Sequence, residues 1–234
     1  MTTLDEFQTS KISSLKLLPP QLNDVFKSIL VPNQVSLIHG TQRSPMTVLC
    51  HAIAVSCIRT KKSAVYIDSG TNFKPRLAKR LFNNNDVSEL ENLLVVNVMG
   101  LDDIEEIIAS LSTDFAIVII DSLVGAMNLQ LPPATKKRQR RLYQLMEKLR
   151  TFVVENNSHI VATNHSSREP VTGESHPIGG NVIAHSVDSM IRVSSFENHG
   201  DIFQIKIERS PTYQKPESIL VRMGDFGIRP IRRS

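Results

Sequence analysis

Short runs of apolar residues alternate along the chain with longer segments in which apolar residues recur at the spacing of a helix. The runs have strand length and are almost continuously apolar, as expected for strands covered on both faces of a sheet. They predict strands at residues 35–39, 64–68, 93–98, 115–121 and 159–163. The segments between them predict helices at residues 47–59, 74–82, 101–111 and 138–155.

This alternation is typical of right-handed βαβ units, which build a parallel sheet with helices on its faces. The rhythm changes after about residue 186, where apolar segments at 189–194, 202–209 and 218–222 follow one another without a helix. We therefore expect an α/β fold with a mostly parallel central sheet and an antiparallel C-terminal extension at its edge. One core domain is predicted over residues 35–230, with a leading segment, 1–34, and a basic tail, 231–234.

The composition narrows the classes of protein. The chain has 234 residues, no Trp and two cysteines, and no apolar run approaches the length of a membrane span. Residues 1–18 show no signal sequence, so we expect no membrane partner. Cys50 and Cys57 would lie roughly 10 Å apart on one predicted helix, which is too far for a disulfide. Two reduced cysteines favour an intracellular protein.

The positive charge of the chain is concentrated in one place. The formal net charge is +4, and residues 136–141, KKRQRR, carry five positive charges in six positions. The net charge becomes −1 when these five are removed, so the remainder is close to neutral. Such a cluster indicates an anionic partner, although a merely solvated charge run is the alternative.

Residues 39–50, HGTQRSPMTVLC, follow a predicted strand and have the outline of a phosphate-binding loop. The full pattern is Gly-x-x-x-x-Gly-Lys-Ser/Thr, in which backbone N–H groups and the lysine hold phosphates. Gly40 and Thr47 keep the first and last positions, but Pro45 and Met46 stand where the second glycine and the lysine belong. Proline has no N–H and methionine has no charge, so the loop is degenerate.

Asp121 closes the predicted strand at 115–121. In open α/β sheets ligands bind at the carboxyl ends of strands, and an aspartate there commonly holds magnesium through water. The alternative is a strand-terminal aspartate that caps the following turn. The seven histidines show no ligand spacing, so we expect no metal site.

Five segments resemble the RecA-like recombinases, in particular the archaeal RadA and RadB branch and its eukaryotic counterparts. They run from about residue 35 to residue 230 in the family's order. The phosphate-loop segment is followed by VYIDSGTNFKPRLAKRL, the Walker B strand FAIVIIDSL, VATNHSSREP with PIGGNVIAHSVDSMIRV, and IERSPTYQKPESILVRMGDFGIRP. The resemblance implies a RecA-like P-loop ATPase core. RadA has an N-terminal helical DNA-binding domain, which we expect to be missing here, as in RadB-like paralogues, because only about 38 residues precede the loop.

The chain departs from this family at positions that the resemblance assigns to catalysis. Gly70 stands at the place of the catalytic glutamate, and His165 at the place of the sensor glutamine. Together with Pro45 and Met46, these changes predict that ATP hydrolysis is lost. The missing charge and the proline weaken nucleotide binding by about 100- to 1,000-fold. That leaves room for weak binding of ATP and Mg²⁺, and no cofactor is required.

The resemblance places a first DNA-binding loop and a helix at the basic cluster, and a second DNA-binding loop at residues 166–181. Positive charge is unfavourable at a helix N-terminus, so a nearby phosphate backbone explains the cluster better than helix stability does. Since Tyr143 is the only aromatic residue close to these loops, we expect base stacking to contribute little. The candidate DNA contacts are Lys136, Lys137, Arg138, Arg140, Arg141, Arg168, Gly179 and Gly180.

Three functions are compatible with these features. The favoured one is a non-catalytic recombinase paralogue that binds DNA, preferably single-stranded, and assists a RadA-type recombinase or another paralogue in homologous recombination and DNA repair. The second is an active DNA-dependent ATPase with unconventional residues, and the third is a structural protein partner without DNA binding. We expect no long homofilaments, while a homodimer through another surface stays open. The protein would act in the cytoplasm or nucleoid of an archaeon, or in a eukaryotic nucleus.

Overall fold

A computed structural model of the chain describes residues 15–17, 19–26, 29–41, 44–82, 88–112, 114–130, 136–168, 175–196, 200–211, 218–224 and 227–231. Several predictions fall outside these residues. They concern the start of the leading segment, 1–14, the loop residues 131–135 and 169–174, and most of the basic tail, 232–234.

The described residues form seven helices, ten strands and one 3₁₀ helix, Ser88–Asn92. None of these helices combines the length and apolar character that crossing a membrane requires. The helices are α1 (Gln21–Phe26), α2 (Met46–Arg59), α3 (Pro75–Phe82), α4 (Leu101–Ser110), α5 (Leu123–Gln130), α6 (Lys136–Asn156) and α7 (Gly180–Ser186). The strands are β1 (Gln34–Gly40), β2 (Ser63–Asp68), β3 (Leu93–Asn97), β4 (Phe115–Asp121), β5 (His159–Arg168), β6 (Ser175–Pro177), β7 (Ser189–Ser195), β8 (Ile202–Arg209), β9 (Ser218–Gly224) and β10 (Gly227–Pro230).

The strands form a sheet in the order β10-β9-β8-β7-β1-β5-β4-β2-β3, and β6 pairs with β5. Neighbours from β7 to β3 are parallel, while β8, β9 and β10 add on antiparallel. The predicted mostly parallel sheet with an antiparallel C-terminal extension is confirmed. The extension begins at β8 rather than at β7, because α7 supplies the crossover that lets β7 pair in parallel with β1.

Side chains alternate between the two faces of the central strands, and each face has its own buried cluster. α1 and α2 cover one face, where Ile38 and Ile119 are buried. α4, α5, α6 and α7 cover the other face, where Leu37 and Ile120 are buried. Because both faces are covered, the central strands are mostly apolar, as their sequences indicated.

Several short elements were not predicted, namely α1, α5, α7, β6 and β10. Elements of three to eight residues contain too few repeats for a hydrophobic period to stand out. Helix α1 places Leu22, Val25 and Phe26 in the cluster on the α2 face, so the described part of the leading segment packs with the core. Strand β5 runs five residues past its predicted end because its polar end pairs with β6.

The carboxyl ends of the central strands meet at one edge of the sheet. Gly40 at the end of β1 is in register with His165 of β5, and Asp68 at the end of β2 is in register with Asp121 of β4. The fold therefore gathers the candidate nucleotide-site residues at the edge where open α/β sheets bind ligands.

Candidate functional site

Gly40 and Ser44, at the two described ends of the connection between β1 and α2, lie tightly against strand β7. Ser44 donates a hydrogen bond from its Oγ to the carbonyl oxygen of Val193 at 3.1 Å, and its N–H donates to Thr41 O at 2.8 Å. A Cβ on Gly40 would lie 2.5 Å from Val193 O and 2.7 Å from Ser44 Oγ. Gly40 is therefore required by the close approach of the protein's own backbone, without any phosphate.

A turn centred on Pro45 leads the chain into α2, and it engages backbone N–H groups that a phosphate site would need. It has φ −80° and ψ 49°, close to an inverse γ-turn. The N–H of Met46 donates to Ser44 O at 2.8 Å across this turn, and the N–H of Val48 donates to Pro45 O at 3.0 Å. With no N–H on Pro45 itself, at least three of the positions that would surround a phosphate offer it no free donor.

Met46 belongs to the hydrophobic core. Its side chain is 4% exposed and packs in the buried cluster on the α2 face. The position that holds a phosphate-binding lysine in the loop pattern thus contributes apolar packing beneath the loop.

Asp121 is buried and accepts hydrogen bonds from three hydroxyl groups. Thr47 and Tyr66 each donate to Oδ2 at 2.7 Å, and Thr163 donates to Oδ1 at 2.7 Å. Burial and the neighbouring Asp121 carboxylate raise the pKa of Tyr66 well above its ordinary value, so its hydroxyl stays protonated and able to donate. These donors occupy three of the roughly four lone-pair sites that a carboxylate offers.

Asp68 organises the loop that contains Gly70. Its Oδ1 accepts from the N–H of Gly70 at 2.9 Å and of Asn72 at 3.0 Å, and its Oδ2 accepts from the N–H of Phe73 at 2.8 Å. Gly70 itself is exposed and brings no carboxylate to the site. Asp68 was not among the predicted site residues, although it ends a strand as Asp121 does.

His51 joins this loop to α2. Its Nε2 accepts from the N–H of Lys74 at 2.9 Å, which leaves Nδ1 as the donor to Thr47 O at 2.8 Å. The ring also stacks on Phe73, with centroids 4.9 Å apart. Burial lowers the pKa of His51, in agreement with the neutral ring that these bonds require. Sequence reasoning missed this residue because Lys74 and Phe73, which it contacts, lie on a loop more than 20 residues away along the chain.

His165 lies beside Gly40 at the end of β5, and its carbonyl oxygen accepts from the N–H of Ile178 at 2.8 Å. Its Nδ1 is buried and has no hydrogen-bond partner among the described residues. The structure brings His165 to the edge of the sheet, but no hydrogen bond joins it to Asp121 in the described part of the chain.

A second polar network begins at His39, which is fully buried. Its Nδ1 lies 2.8 Å from Ser166 Oγ and its Nε2 lies 2.8 Å from Glu208 Oε2. Arg192 Nε lies 3.2 Å from the other oxygen of Glu208. Burial raises the pKa of Glu208, but the hydrogen bond from His39 and the positive charge of Arg192 outweigh it, so the pKa is lowered overall. The network anchors the start of the β5–β6 hairpin to β1 and β8.

The basic cluster at the start of α6 divides into two groups. Lys136, Lys137 and Arg140 are exposed, and none of them has an ion pair within the described residues. Arg138 is 7% exposed, and its Nη2 donates to Asn128 Oδ1 at 2.8 Å. Two of the candidate DNA contacts are therefore engaged inside the fold, since Arg141 pairs with two carboxylates of α4, those of Asp102 and Glu105.

The described parts of the second predicted DNA-binding loop form a hairpin and a short helix. Arg168 is exposed where β5 pairs with β6. Gly179 has φ +103° and precedes α7, and Gly180 has φ +54°. A Cβ on Gly179 would lie 2.9 Å from Ile183 Cδ1 and 3.0 Å from Leu142 Cδ2. The glycine pair is thus explained by backbone conformation and packing.

Metal-binding and thiol groups add no further site among the described residues. No group of three or more His, Cys, Asp and Glu side chains is placed to hold a metal ion in this part of the chain. Cys50 and Cys57 are free and buried, and burial raises the pKa of Cys57 to about 12. Both thiols are core residues.

A family model described as Rad51 matches residues 10–229 of the chain. This chain belongs to the Rad51 family. The Rad51-family chain is 24% identical over 221 residues to the DNA repair protein RAD51 homolog A of Zea mays, a match that covers 85% of the chain and 64% of that relative. It is 23% identical over 252 aligned positions to the DNA repair protein RAD51 of Mycosarcoma maydis, covering 97% of the chain and 73% of that relative. The chain thus spans about two thirds of the length of these relatives.

The solved structures confirm the expected fold of the Rad51-family chain. The crystal structure of the RadB recombinase superposes with a TM-score of 0.74 at 16% sequence identity, covering 90% of this chain and 96% of that one. At this identity the likeness bears on the fold alone, which is a RecA-like recombinase core.

Proposed function

We propose that this Rad51-family chain is a non-catalytic recombinase paralogue. It binds DNA, preferably single-stranded, and assists a RadA-type recombinase or another paralogue in homologous recombination and DNA repair inside the cell. Relatives with DNA repair and meiotic recombination in their names support the general role. The observation that carries the non-catalytic part is the closed nucleotide site, in which Asp121 accepts three internal hydroxyl donors.

Hydrolysis of ATP needs a cation at the phosphates, a metal and a residue that orients water. Met46 is packed in the core, and Gly70 has no side chain to orient water. Thr47 and Asp121 fit the donor set of a magnesium site by chemistry, but Asp121 already accepts three internal hydrogen bonds, from the hydroxyls of Thr47, Tyr66 and Thr163. The chain therefore works without a cofactor, and ATP with Mg²⁺ binds weakly if the site opens.

DNA binding is proposed to run through the exposed cations of α6 and of the hairpin, namely Lys136, Lys137, Arg140 and Arg168. Their charges face solvent, so a phosphate backbone meets them without first breaking an internal ion pair. Arg138 and Arg141 act indirectly in this proposal: their contacts with Asn128 and with α4 hold the start of α6 in place. Because such contacts are electrostatic, binding depends on salt and only weakly on sequence.

The test is the salt dependence of binding to a single-stranded oligonucleotide, measured by fluorescence anisotropy. The triple variant Lys136→Gln, Lys137→Gln, Arg140→Gln is compared with the native chain. Each phosphate contact on a single strand contributes a slope of about −0.7 to log affinity against log salt. The triple variant should bind more weakly and flatten the slope by about two units.

A matched control removes three exposed cations on the other face of the sheet, by Arg59→Gln, Arg76→Gln and Lys79→Gln. It has the same net charge as the first triple variant and should keep the native slope to within a few tenths of a unit. Equal loss in both variants would mean that total charge, rather than α6, governs binding. Native affinity in the α6 variant at low salt would favour a structural protein partner without DNA binding.

We also propose that the chain acts in mixed assemblies. The resemblance to RecA-like recombinases implies subunits that hold ATP between neighbours. A chain whose own nucleotide site is closed cannot supply such a contact from that side, whereas its opposite face can still meet a partner's intact loop. Electron microscopy with ATP and single-stranded DNA tests this. Short or capped filaments with a catalytically intact recombinase are expected, and long helical filaments of this chain alone would contradict it.

A further inference from the structure

An aromatic side chain stands on the same stripe of α6 as two of the free cations. Lys136, Arg140 and Tyr143 are spaced i, i+4 and i+7, which places them within an arc of about 60° on the helix surface. The side chain of Tyr143 is 53% exposed. Arg140 lies one turn away along the helix, so the ring and the cation are close enough for one ligand to touch both.

The exposure of Tyr143 contrasts with the other aromatic rings around the site. Tyr66 is fully buried, and His51, Tyr66 and Phe73 pack against one another. Within the described residues no aromatic ring packs on Tyr143, and about half of its surface is exposed to solvent. An exposed aromatic ring beside cations has the composition of surfaces that bind single-stranded nucleic acid by stacking and charge together.

We propose that Tyr143 stacks on an unpaired nucleobase while Lys136 and Arg140 contact the neighbouring phosphates. The inference rests on the proposed DNA binding and adds the residue that distinguishes single strands from duplex. In a duplex each base is paired and stacked on its neighbours, so its face is closed to a side chain unless the base is extruded. The cations serve both forms of nucleic acid, whereas the ring serves only the single-stranded form.

This assignment revises the expectation that stacking contributes little. Stacking of one base on an aromatic side chain is worth about 1–3 kcal/mol, which corresponds to a change in affinity of roughly 5- to 150-fold. It involves no counterion release, so it changes affinity without changing the salt slope. The two contributions are therefore separable by experiment.

The first experiment measures binding of Tyr143→Ala and Tyr143→Phe to an oligo-dT strand and to a duplex of equal length. Tyr143→Ala should bind the single strand at least about fivefold more weakly, with the native salt slope, and bind the duplex as the native chain does. Tyr143→Phe retains the ring and should bind the single strand as the native chain does. Far-UV circular dichroism checks that each variant is folded.

The second experiment uses the absence of tryptophan from the sequence. Tyr143→Trp places a single fluorescent reporter at the proposed contact, and stacking on oligo-dT should quench it and shift its spectrum. The control Val154→Trp places the reporter on the same helix, at a site 64% exposed and about three turns beyond the expected contact, and should respond little. An oligo-U strand in parallel shows whether the surface distinguishes DNA from RNA.

The outcomes separate the two proposals. If the single strand binds with the expected salt slope and Tyr143→Ala does not change its affinity, the stacking role is overturned and the DNA-binding proposal is retained. An equal loss on single strand and duplex also overturns the stacking role, because the ring then does not discriminate. No binding by the native chain at low salt overturns both proposals.

Discussion

The edge of the sheet at Asp121 and the start of α6 both carry polar groups, but they use them in opposite ways. At the edge, the carboxylates of Asp68 and Asp121 accept six hydrogen bonds from groups of the same chain. At the start of α6, Lys136, Lys137 and Arg140 are exposed and have no ion pair among the described residues.

The difference indicates where binding chemistry remains. A polar group that is satisfied internally must break its bonds before it can hold a ligand, whereas an exposed cation exchanges only water and counterions. Asp121 and Met46, at the edge where the nucleotide site of the family is expected, are buried and engaged within the chain. The start of α6 presents exposed cations and an exposed aromatic ring, the groups that suit a nucleic acid.

The largest expected effect is the loss of stability when Asp121 is removed. Asp121→Ala leaves the hydroxyls of Thr47, Tyr66 and Thr163 without their acceptor, and each buried unsatisfied donor costs about 1–3 kcal/mol. Because the site relaxes, the total should be about 3–5 kcal/mol in the free energy of unfolding, measured with urea. Asp121→Asn, which retains one acceptor oxygen, should cost less. A loss below about 1 kcal/mol would show that the edge is not an internal network.

The free energy of unfolding should fall in acid. Burial lowers the pKa of His159 to about 4 from an ordinary 6.5. Above pH 6.5 the ring is neutral in both states; below it the unfolded chain takes up a proton that the folded chain refuses until about pH 4. The free energy of unfolding should therefore drop by up to about 3 kcal/mol across this window.

Denaturation at pH 7, 5.5 and 4.5 measures this effect in the native chain and in His159→Gln. In His159→Gln the free energy of unfolding should depend much less on pH. In the control His185→Gln, at an exposed site, it should depend on pH as in the native chain. If the free energy of unfolding of His159→Gln depends on pH as steeply as that of the native chain, the acid sensitivity belongs to other groups. His51 is one such group, because burial also lowers its pKa. Lysine and arginine do not titrate in this window.

Restoring the lysine of the loop pattern should not restore a nucleotide site. Met46→Lys buries an amine where the methionine is 4% exposed, and should cost at least about 2 kcal/mol of stability. Pro45 and Gly70 remain, so neither ATP hydrolysis nor an ATP-dependent rise in melting temperature is expected. Thermal melts with and without ATP and Mg²⁺ measure this, and a clear ATP-dependent rise would contradict the closed loop.

The smallest expected changes in the free energy of unfolding distinguish the buried from the exposed residues of the basic cluster. Arg138→Ala removes a buried side chain and its bond to Asn128, and should cost about 1–2 kcal/mol. Lys137→Ala removes an exposed side chain and should stay within about 0.5 kcal/mol of the native chain. Urea unfolding of the two variants side by side gives the comparison. Equal costs would mean that the cluster is not divided.

The main strands and the long helices could be predicted because burial on two faces leaves a continuous apolar pattern, and burial on one face leaves a helical one. The same pattern contained an unused signal for Arg138. It lies four residues before Leu142 and in phase with Leu145 and Leu149, all of which are buried, so its helical position points to the core. The run of charge around it concealed that phase.

The internal bonds of the edge could not be predicted in the same way. Thr47, Tyr66 and Thr163 meet Asp121 only after three strands and a helix have taken their places, and their separations along the chain range from 42 to 74 residues. His51 and Asp68 act through backbone groups of a loop, which leave no side-chain pattern in the sequence. The resemblance predicted that catalytic groups are lost at Met46 and Gly70, and the geometry adds that Met46 packs in the core and that Gly70 is exposed.

The most direct test of a closed nucleotide site is the steady-state release of phosphate from ATP, with Mg²⁺ and with and without single-stranded DNA. With and without DNA, the native chain should release phosphate no faster than the background rate measured in buffer without protein. The same preparation should bind DNA with an affinity that falls measurably with salt. Turnover above that background, stimulated by DNA and abolished by Thr47→Val, would contradict the account, because it would require Asp121 and the loop to hold nucleotide in place of their internal bonds.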